Sequence, residues 1–238
     1  MEKKAERIQT SFLNGVEKKA LVWLAQRQPR WVTSDMLTWV GTFGSALIAL
    51  GYILSNINVQ WLWLSTFGLI VNWYGDSLDG TLARVRNTQR PIYGYYIDHT
   101  VDGINETLMF LGIGLSPFLN LYTALAMLVA YLQLTLNVSM NAHLKAEFKL
   151  TYAGLGPTEF RVVAIILNTL LIFIKPWQQF EEVWTIFGKK VYAHALDYPG
   201  LAILAILILI YFVTIWKDAR YYSRIDPMPK DGKNKRSE

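Results

Sequence analysis

The sequence predicts an all-α, polytopic membrane protein with six transmembrane helices preceded by an N-terminal amphipathic surface helix. Of its 238 residues, 53% are hydrophobic and only 17% are charged. The apolar residues gather in runs close to the roughly 20 residues that a helix needs to cross a bilayer. The basic residues gather between alternate runs, as expected when those loops stay on the cytoplasmic side. Together these observations indicate an integral membrane protein.

The N-terminal segment, residues 1–30, is predicted to form an amphipathic helix on the membrane surface. Apolar side chains such as that of Trp23 alternate there with lysines and arginines, a composition typical of interfacial helices. Pro29 is expected to end this helix, and Thr33 or Ser34 to cap the helix that follows. The segment lacks the short apolar core and the cleavage site of a signal peptide.

Six transmembrane helices are predicted within one membrane domain, residues 31–222. They cover residues 34–54, 60–84, 93–115, 118–144, 158–175 and 197–217. Lys and Arg are frequent before the first helix, after the second and fourth, and after the sixth, whereas the loops after the first and third have none. The loop after the fifth has three lysines, which Glu181 and Glu182 dilute. That alternation places both termini on the cytoplasmic side. Residues 223–238 are predicted to be a basic, disordered tail.

Composition also limits the partners. The chain has no cysteine, which excludes disulfides, thiolate metal ligands and cysteine nucleophiles. The net charge of +5 would suit nucleic acid, but the basic residues flank hydrophobic segments. In that position they indicate topology and contact with anionic lipid. We therefore expect the lipid bilayer, and no nucleic acid, as a partner.

Four aspartates lie in or beside the second and third predicted transmembrane helices: Asp76, Asp79, Asp98 and Asp102. An ionised carboxylate at bilayer depth costs about 2.5 kcal/mol or more on insertion scales. Spacings of three and four residues place each pair on one face of its helix. The short basic turn between the helices predicts that they are antiparallel neighbours. The four carboxylates should then converge near the cytoplasmic end, where they repel one another unless cations neutralise them.

Two divalent metal ions are the expected cations, because carboxylate oxygens are hard ligands that select Mg²⁺, Mn²⁺ or Ca²⁺ over zinc or copper. Two such ions could hold a pyrophosphate and stabilise the attacking and leaving oxygens of an in-line displacement. Gly80, Ala83 and Gly94 leave room for a ligand to approach the backbone, at a cost of up to about 1 kcal/mol for each glycine in a helix. Arg84 is placed to contact a phosphate.

These residues form the pattern D-x2-D-G-x2-A-R-x9-G-x3-D-x3-D over residues 76–102. It resembles the hallmark motif of the CDP-alcohol phosphotransferases, or CDP-alcohol phosphatidyltransferases, which are integral membrane enzymes of phospholipid head-group synthesis. Every fixed position of the motif is present. The six-helix layout with a surface helix is also similar to that family, so the resemblance extends over about residues 5–222.

The resemblance implies a role for each residue of the motif. Asp102 is the expected general base, which removes the proton of the acceptor hydroxyl, and it also contributes to one metal site. The other metal ligands are Asp76, Asp79 and Asp98. The cytidine diphosphate site is lined by Gly80, Ala83, Arg84 and Gly94. The hydroxyl attacks the phosphorus attached to the transferred alcohol, CMP leaves, and the active form is a homodimer.

Two versions of this reaction remain open. In one, CDP-diacylglycerol donates a phosphatidyl group to a small polar alcohol; in the other, a CDP-amino-alcohol donates its head group to diacylglycerol. The sequence D-H-x2-D around His99 resembles the second branch of the family, in which the histidine would be catalytic and assist proton removal. A plain hydrogen-bonding role for His99 is the alternative. Glu106, just past Asp102, could support the metal ions or accept a hydrogen bond from His99.

The stretch G-L-G-P-T-E-F-R at residues 154–161 also has two interpretations. Pro157 and Glu159 suit the first turn of a helix. The same stretch could instead belong to a pocket for a phosphorylated acceptor such as inositol phosphate or glycerol phosphate. The candidate residues of that acceptor pocket are Lys145, Lys149, Glu159 and Arg161.

A divalent-cation transporter that uses the aspartates as its pathway is the alternative function. A pathway needs polar residues through the whole bilayer, whereas here they concentrate near one face. The sequence therefore favours the enzyme.

Overall fold

The computed structural model describes residues 6–8, 13–145, 147–149, 156–186 and 188–228, which form eight α-helices and four short strands. The helices are α1 (Asn14–Arg27), α2 (Ser34–Leu54), α3 (Leu62–Val85), α4 (Pro91–Gly114), α5 (Leu121–Lys145), α6 (Pro157–Phe173), α7 (Lys175–Gln178) and α8 (Asp197–Ile225). The strands are β1 (Glu6–Ile8), β2 (Glu147–Lys149), β3 (Glu181–Ile186) and β4 (Lys189–His194). A single 3₁₀ turn, Val59–Trp61, precedes α3.

The six long helices lie where transmembrane helices are predicted. In the described part of the chain, three are long and apolar enough to cross a membrane by length and composition: Ser34–Leu54, Leu121–Ala142 and Asp197–Ile225. Helices α3 and α4 carry the aspartates, and α6 has only 17 residues. The prediction of a mostly helical membrane protein is confirmed, whereas the count of six membrane crossings stays a prediction.

The long helices alternate in direction, so that the bundle has two opposite ends. At one end, the Asn56 side chain after α2 donates to the Leu115 carbonyl after α4 at 2.8 Å. At the same end, the Thr123 hydroxyl of α5 donates to the Asp197 carboxylate of α8 at 2.5 Å. The predicted metal ligands therefore lie at the other end, with the starts of α2, α4 and α6.

Helices α2 and α3 approach closely because glycines line their contact. A Cβ atom added to Gly44 would lie 2.4 Å from the backbone nitrogen of Asn72, and one added to Gly75 would lie 2.2 Å from that of Gly41. Small residues allow this approach of two membrane helices. The contact fixes the position of the second half of α3, and with it the first aspartate pair.

The N-terminal segment differs from the helix predicted over residues 1–30. Helix α1 begins only at Asn14, and its Leu21 and Ala25 are buried in an apolar cluster with α2 and α3. Residues 6–8 form β1, which pairs in parallel with β2 and so satisfies its backbone groups through a second segment. The prediction of a helix at residues 6–8 was wrong, and the placement of α1 on the membrane surface stays a prediction.

The fold is also not purely helical between α6 and α8. Strands β3 and β4 form an antiparallel hairpin in which Trp184 lies opposite Val191. Trp184 packs edge-on against Tyr198 with ring centroids 5.5 Å apart, and the Asn120 side chain donates to the Tyr192 carbonyl at 2.8 Å. The hairpin thus lies at the end of the bundle opposite the aspartates. β-Branched and aromatic residues such as Val183, Trp184 and Val191 favour the strands, which the prediction of an all-α fold missed.

We predict that Gly44→Ala lowers the stability of the protein in detergent by about 1–3 kcal/mol, because the new methyl group would overlap the α3 backbone. Gly103→Ala is the matched control, since a Cβ atom at that helical position has nothing within 4 Å. The midpoint of thermal unfolding should fall by several degrees for the first variant and hold for the second. Equal midpoints for the two variants would contradict the packing described for α2 and α3.

Candidate active site

Three of the four predicted metal ligands meet where α3 and α4 lie side by side. Asp76, Asp98 and Asp102 each present a carboxylate oxygen, and these oxygens lie within 4.8 Å of one another. Asp98 is exposed, whereas the other two are half-buried. The group therefore opens towards the end of the bundle, and its oxygens are close enough to share one divalent ion.

Asp79 faces α2 instead. Its Oδ2 atom accepts a hydrogen bond from the Thr38 hydroxyl at 2.7 Å, and its Oδ1 atom accepts one from the Gly80 backbone N–H. The Ser34 hydroxyl donates to the Asp79 carbonyl oxygen at 2.7 Å. The start of α2 thus orients Asp79, which is not part of the group of three.

Arg161 of α6 supplies the positive charge at this site. Its Nη2 atom lies 2.5 Å from Oδ2 of Asp76, and its Nε atom donates to the Asn72 side-chain oxygen at 2.8 Å. Asn72 in turn donates to the Gly41 carbonyl at 3.1 Å and to the Ser45 hydroxyl at 3.0 Å. Helices α2, α3 and α6 are therefore joined by one polar network beside the carboxylates. The predicted acceptor-pocket residue Arg161 lies directly against a predicted metal ligand.

The surface beside the carboxylates is open. A Cβ atom on Gly94 would have nothing within 4 Å, and one on Gly80 would meet only the Arg84 guanidinium, at 3.4 Å. Arg84 is exposed and donates to the Thr81 hydroxyl at 2.9 Å, and Ala83 beside it is half-buried. A small ligand can therefore reach the backbone of both helices, with a guanidinium next to it.

His99 is held by the preceding turn of α4. Its Nδ1 atom lies 3.0 Å from the Tyr95 carbonyl oxygen, and the two rings lie 4.1 Å apart. A carbonyl can only accept, so the Nδ1 atom is the donor in this contact.

Glu159 has a structural position at the start of α6. Its Oε2 atom accepts from the Gly156 backbone N–H at 2.9 Å, and its Oε1 atom accepts from the Leu13 backbone N–H at 3.0 Å. This buried carboxylate therefore caps α6 and ties it to the residue before α1, in line with the first of its two interpretations. The side chains of Lys145 and Lys149, the other candidates for the acceptor pocket, lie outside the described residues.

Thr38 and Asn72 also belong to the site, although neither is among the residues predicted from the sequence. Both are polar residues within apolar helices, and Asn72 lies four residues before Asp76, on the same face of α3. A polar residue in a membrane helix generally faces the interior of the bundle. That rule, applied to Asn72, would have added it to the site.

The comparison with known families decides the assignment. A sequence model described as CDP-alcohol phosphatidyltransferase matches residues 31–216. The chain belongs to this family. The match includes all four aspartates and Arg161, and the family consists of transferases of substituted phosphate groups. The predicted resemblance is thus confirmed.

One protein with a similar sequence is a phosphatidylinositol phosphate synthase of Cutibacterium acnes (strain DSM 16379 / KPA171202). It is 35% identical over 86 residues, a segment that spans 35% of this chain and 38% of the relative. The matched segment therefore covers well under half of the relative's own length.

We predict that Arg161→Met lowers the midpoint of thermal unfolding in EDTA, because Asp76 loses its cation and Asn72 loses a donor. The free energy of unfolding should fall by about 1–3 kcal/mol. Added Mn²⁺ should recover part of the loss, since a divalent ion would replace the missing charge.

Arg84→Met is the control for that substitution, because Arg84 is exposed and donates to Thr81 of its own helix. Its midpoint should match that of the wild type. A midpoint for Arg161→Met that equals the wild type in EDTA would contradict the role of Arg161 as the counter-charge.

Proposed function

We propose that the protein is an integral membrane enzyme of phospholipid synthesis, which transfers a substituted phosphate group from a CDP-linked donor to an alcohol and releases CMP. The observation on which this depends is the meeting of Asp76, Asp98 and Asp102 at an open end of the bundle. It occurs in a chain of the CDP-alcohol phosphatidyltransferase family.

Two Mg²⁺ or Mn²⁺ ions are the proposed cofactors. The residues fit such ions, because the ligands are carboxylate oxygens and Asp76 already attracts a cation, Arg161. Asp76, Asp98 and Asp102 would hold the metal, together with Asp79. When bound, the ions would neutralise charge on the diphosphate.

Asp102 is the proposed general base. The acceptor oxygen forms a bond to the phosphorus, the bond from that phosphorus to the CMP oxygen breaks, and the hydroxyl proton passes to Asp102. His99, three residues earlier on the same helix, is proposed to assist this transfer. Arg84 and the open backbone at Gly80 and Gly94 are proposed to hold the cytidine diphosphate.

An apolar groove between α3 and α6 is the proposed site of the lipid chains. This cavity has a volume of about 260 Å³ and is lined by Leu69, Ile70, Trp73, Thr158, Arg161, Val162 and Ile165. Arg161 lines the groove and also contacts Asp76. A lipid whose chains lie in this groove would present its polar end to the carboxylates. Both versions of the reaction use such a lipid.

CDP-diacylglycerol is the donor that we favour, with a small, phosphorylated alcohol as acceptor. The name of the Cutibacterium acnes relative supports it, since phosphatidylinositol phosphate carries a phosphatidyl group on a phosphorylated alcohol. Arg161 adds a partly buried cation that suits an anionic acceptor. The D-H-x2-D sequence around His99 favours the other version, in which a CDP-amino-alcohol reacts with diacylglycerol.

The proposed topology has six membrane crossings, with both termini and the active site facing the cytoplasm. The alternating helix directions and the alternating basic loops support it. In the proposed organisation, residues 1–30 contact the membrane surface and residues 31–222 form the membrane domain. The predicted tail at residues 223–238 begins inside α8, which continues to Ile225, and 229–238 lie outside the described residues. A homodimer is proposed from the family likeness.

We predict that Asp98→Asn and Asp102→Asn each abolish CMP release while the purified protein keeps its thermal unfolding midpoint in detergent. Asp35→Asn is the control, since Asp35 pairs with Arg90 at 3.1 Å and does not belong to the group of three. Near-normal turnover by Asp98→Asn or Asp102→Asn would contradict the proposed mechanism.

The donor is identified by supplying purified protein with labelled CDP-diacylglycerol or CDP-ethanolamine, Mg²⁺ and a panel of acceptors. We expect a labelled phosphatidyl lipid from CDP-diacylglycerol and a phosphorylated alcohol, and no product when EDTA is present. Product from CDP-ethanolamine and diacylglycerol alone would select the other version. Metal flux into sealed vesicles without CMP release would instead support the divalent-cation transporter.

A further inference from the structure

A carboxylate of α1 connects the two walls of the apolar groove. The Oε1 atom of Glu17 accepts a hydrogen bond from the Trp73 indole N–H at 2.9 Å and another from the Thr158 hydroxyl at 2.6 Å. Trp73 belongs to α3 and Thr158 to α6, and both residues line the groove. One oxygen atom of a third helix therefore holds a side chain of each wall.

This connection lies at the end of the groove that is nearest the aspartates. Thr158 is the second residue of α6, and Arg161, three residues later, pairs with a carboxylate of the site. Trp73 directly follows Asn72, whose side chain accepts a hydrogen bond from Arg161. Glu17 therefore acts where the acyl chains of a bound lipid would meet its polar end.

Other contacts also hold α1 on the bundle. Leu21 and Ala25 are buried in the apolar cluster with α2 and α3, and the Gln28 side chain donates to the Tyr74 hydroxyl at 2.6 Å. The docking of α1 therefore does not depend on Glu17 alone. The particular contribution of Glu17 is to orient two side chains of the groove.

A shared acceptor restricts both walls of the groove at once. An indole N–H in a protein interior generally needs a hydrogen-bond partner, and a side chain held by such a bond keeps one orientation. Binding sites gain precision when supporting residues fix the side chains that contact the ligand. Glu17 lies outside residues 31–216, the segment that the family model matches.

We propose that Glu17 is a positioning residue for the lipid substrate, and that it sets the width of the groove through Trp73 and Thr158. This inference rests on the proposed function, in which the lipid chains lie between α3 and α6. The ligand is a lipid with acyl chains, because side chains such as Leu69 and Ile165 make the rest of the groove apolar.

The test measures steady-state kinetics of the full-length protein with Mg²⁺, in two arms. One arm supplies CDP-diacylglycerol with glycerol 3-phosphate or inositol phosphate, and the other supplies diacylglycerol with CDP-ethanolamine. In the arm that gives product, Glu17→Leu should raise KM for the lipid by about tenfold, since the acceptor of two hydrogen bonds is lost. Its kcat and the KM of the water-soluble substrate should stay within about threefold of the wild type.

Glu17→Gln is the conservative variant, because its amide oxygen can still accept both bonds, and its KM should stay near that of the wild type. Gln26→Leu is the matched control on α1, since Gln26 is exposed, and its kinetics should equal those of the wild type. An unchanged KM in Glu17→Leu would overturn the proposal. A loss of kcat without a change in KM, or equal impairment of Glu17→Gln and Glu17→Leu, would overturn it too.

The two walls can also be released one at a time. Trp73→Phe keeps an aromatic ring without the N–H, and Thr158→Val keeps the branched shape without the hydroxyl. Each variant should raise KM for the lipid by about threefold. Adding Glu17→Leu to the double variant should raise it no further, because Glu17 acts through these two donors. A further tenfold rise in the triple variant would contradict that route.

A binding measurement separates failure of this role from failure of the proposed function. CDP-diacylglycerol or diacylglycerol, added singly with Mg²⁺, should raise the thermal unfolding midpoint of the wild type in detergent. Glu17→Leu should need about tenfold more lipid for the same rise. If the wild type transfers no group in either arm, the proposed function fails while this difference still supports the positioning role. Equal lipid requirements in the two proteins, or no rise in the wild type, overturn that role.

Discussion

The mutual repulsion of carboxylates at the end of a membrane bundle is the constraint on which the rest of this structure depends. The neighbouring helices stabilise the negative charge with a cation or a hydrogen-bond donor. Helix α6 brings Arg161 to Asp76, and helix α2 brings the Thr38 hydroxyl to Asp79. Asp98 is exposed and Asp102 is half-buried beside it, and metal ions with a diphosphate would complete the charge balance there. The polar network therefore allows the carboxylates to lie close together and also holds them in position.

Close packing of α2 and α3 makes those contacts possible. Glycines at positions 41, 44 and 75 bring the two backbones together, so that the short side chains of Thr38 and Ser45 reach polar groups on α3. Longer residues in the contact would move α3 outwards by a side-chain layer. The Asn72 amide, which connects α2 to Arg161, would then lose its partners on α2. Backbone packing and electrostatics thus act on the same few residues.

The sequence predicted the six long helices and the convergence of four aspartates, of which three meet, because helical period and hydropathy are local properties. It did not predict that Asp79 would turn towards α2. A residue three positions after Asp76 lies about 60° away around the helix, and only the rotation of α3 against its neighbours decides what it faces. The hairpin after α6 and the strand at residues 6–8 were missed because short strands depend on a pairing partner distant in sequence.

Glu159 and Arg161, two residues apart, also show that local sequence does not reveal which neighbouring element a side chain contacts. Both were candidates for an acceptor pocket. In the structure they have different roles, because Glu159 caps α6 whereas Arg161 pairs with Asp76. Spacing alone could not separate these roles, because the cap depends on a backbone N–H and the ion pair depends on a neighbouring helix.

The central claim is that the aspartates hold two divalent ions on which group transfer depends. It is tested most directly by titrating the purified protein with Mn²⁺ in the presence of CDP and counting bound ions by electron paramagnetic resonance. Two ions per chain are expected in the wild type, with the spectral broadening of a close metal pair, and fewer in Asp98→Asn. Two bound ions in Asp98→Asn, or none in the wild type, would contradict the account.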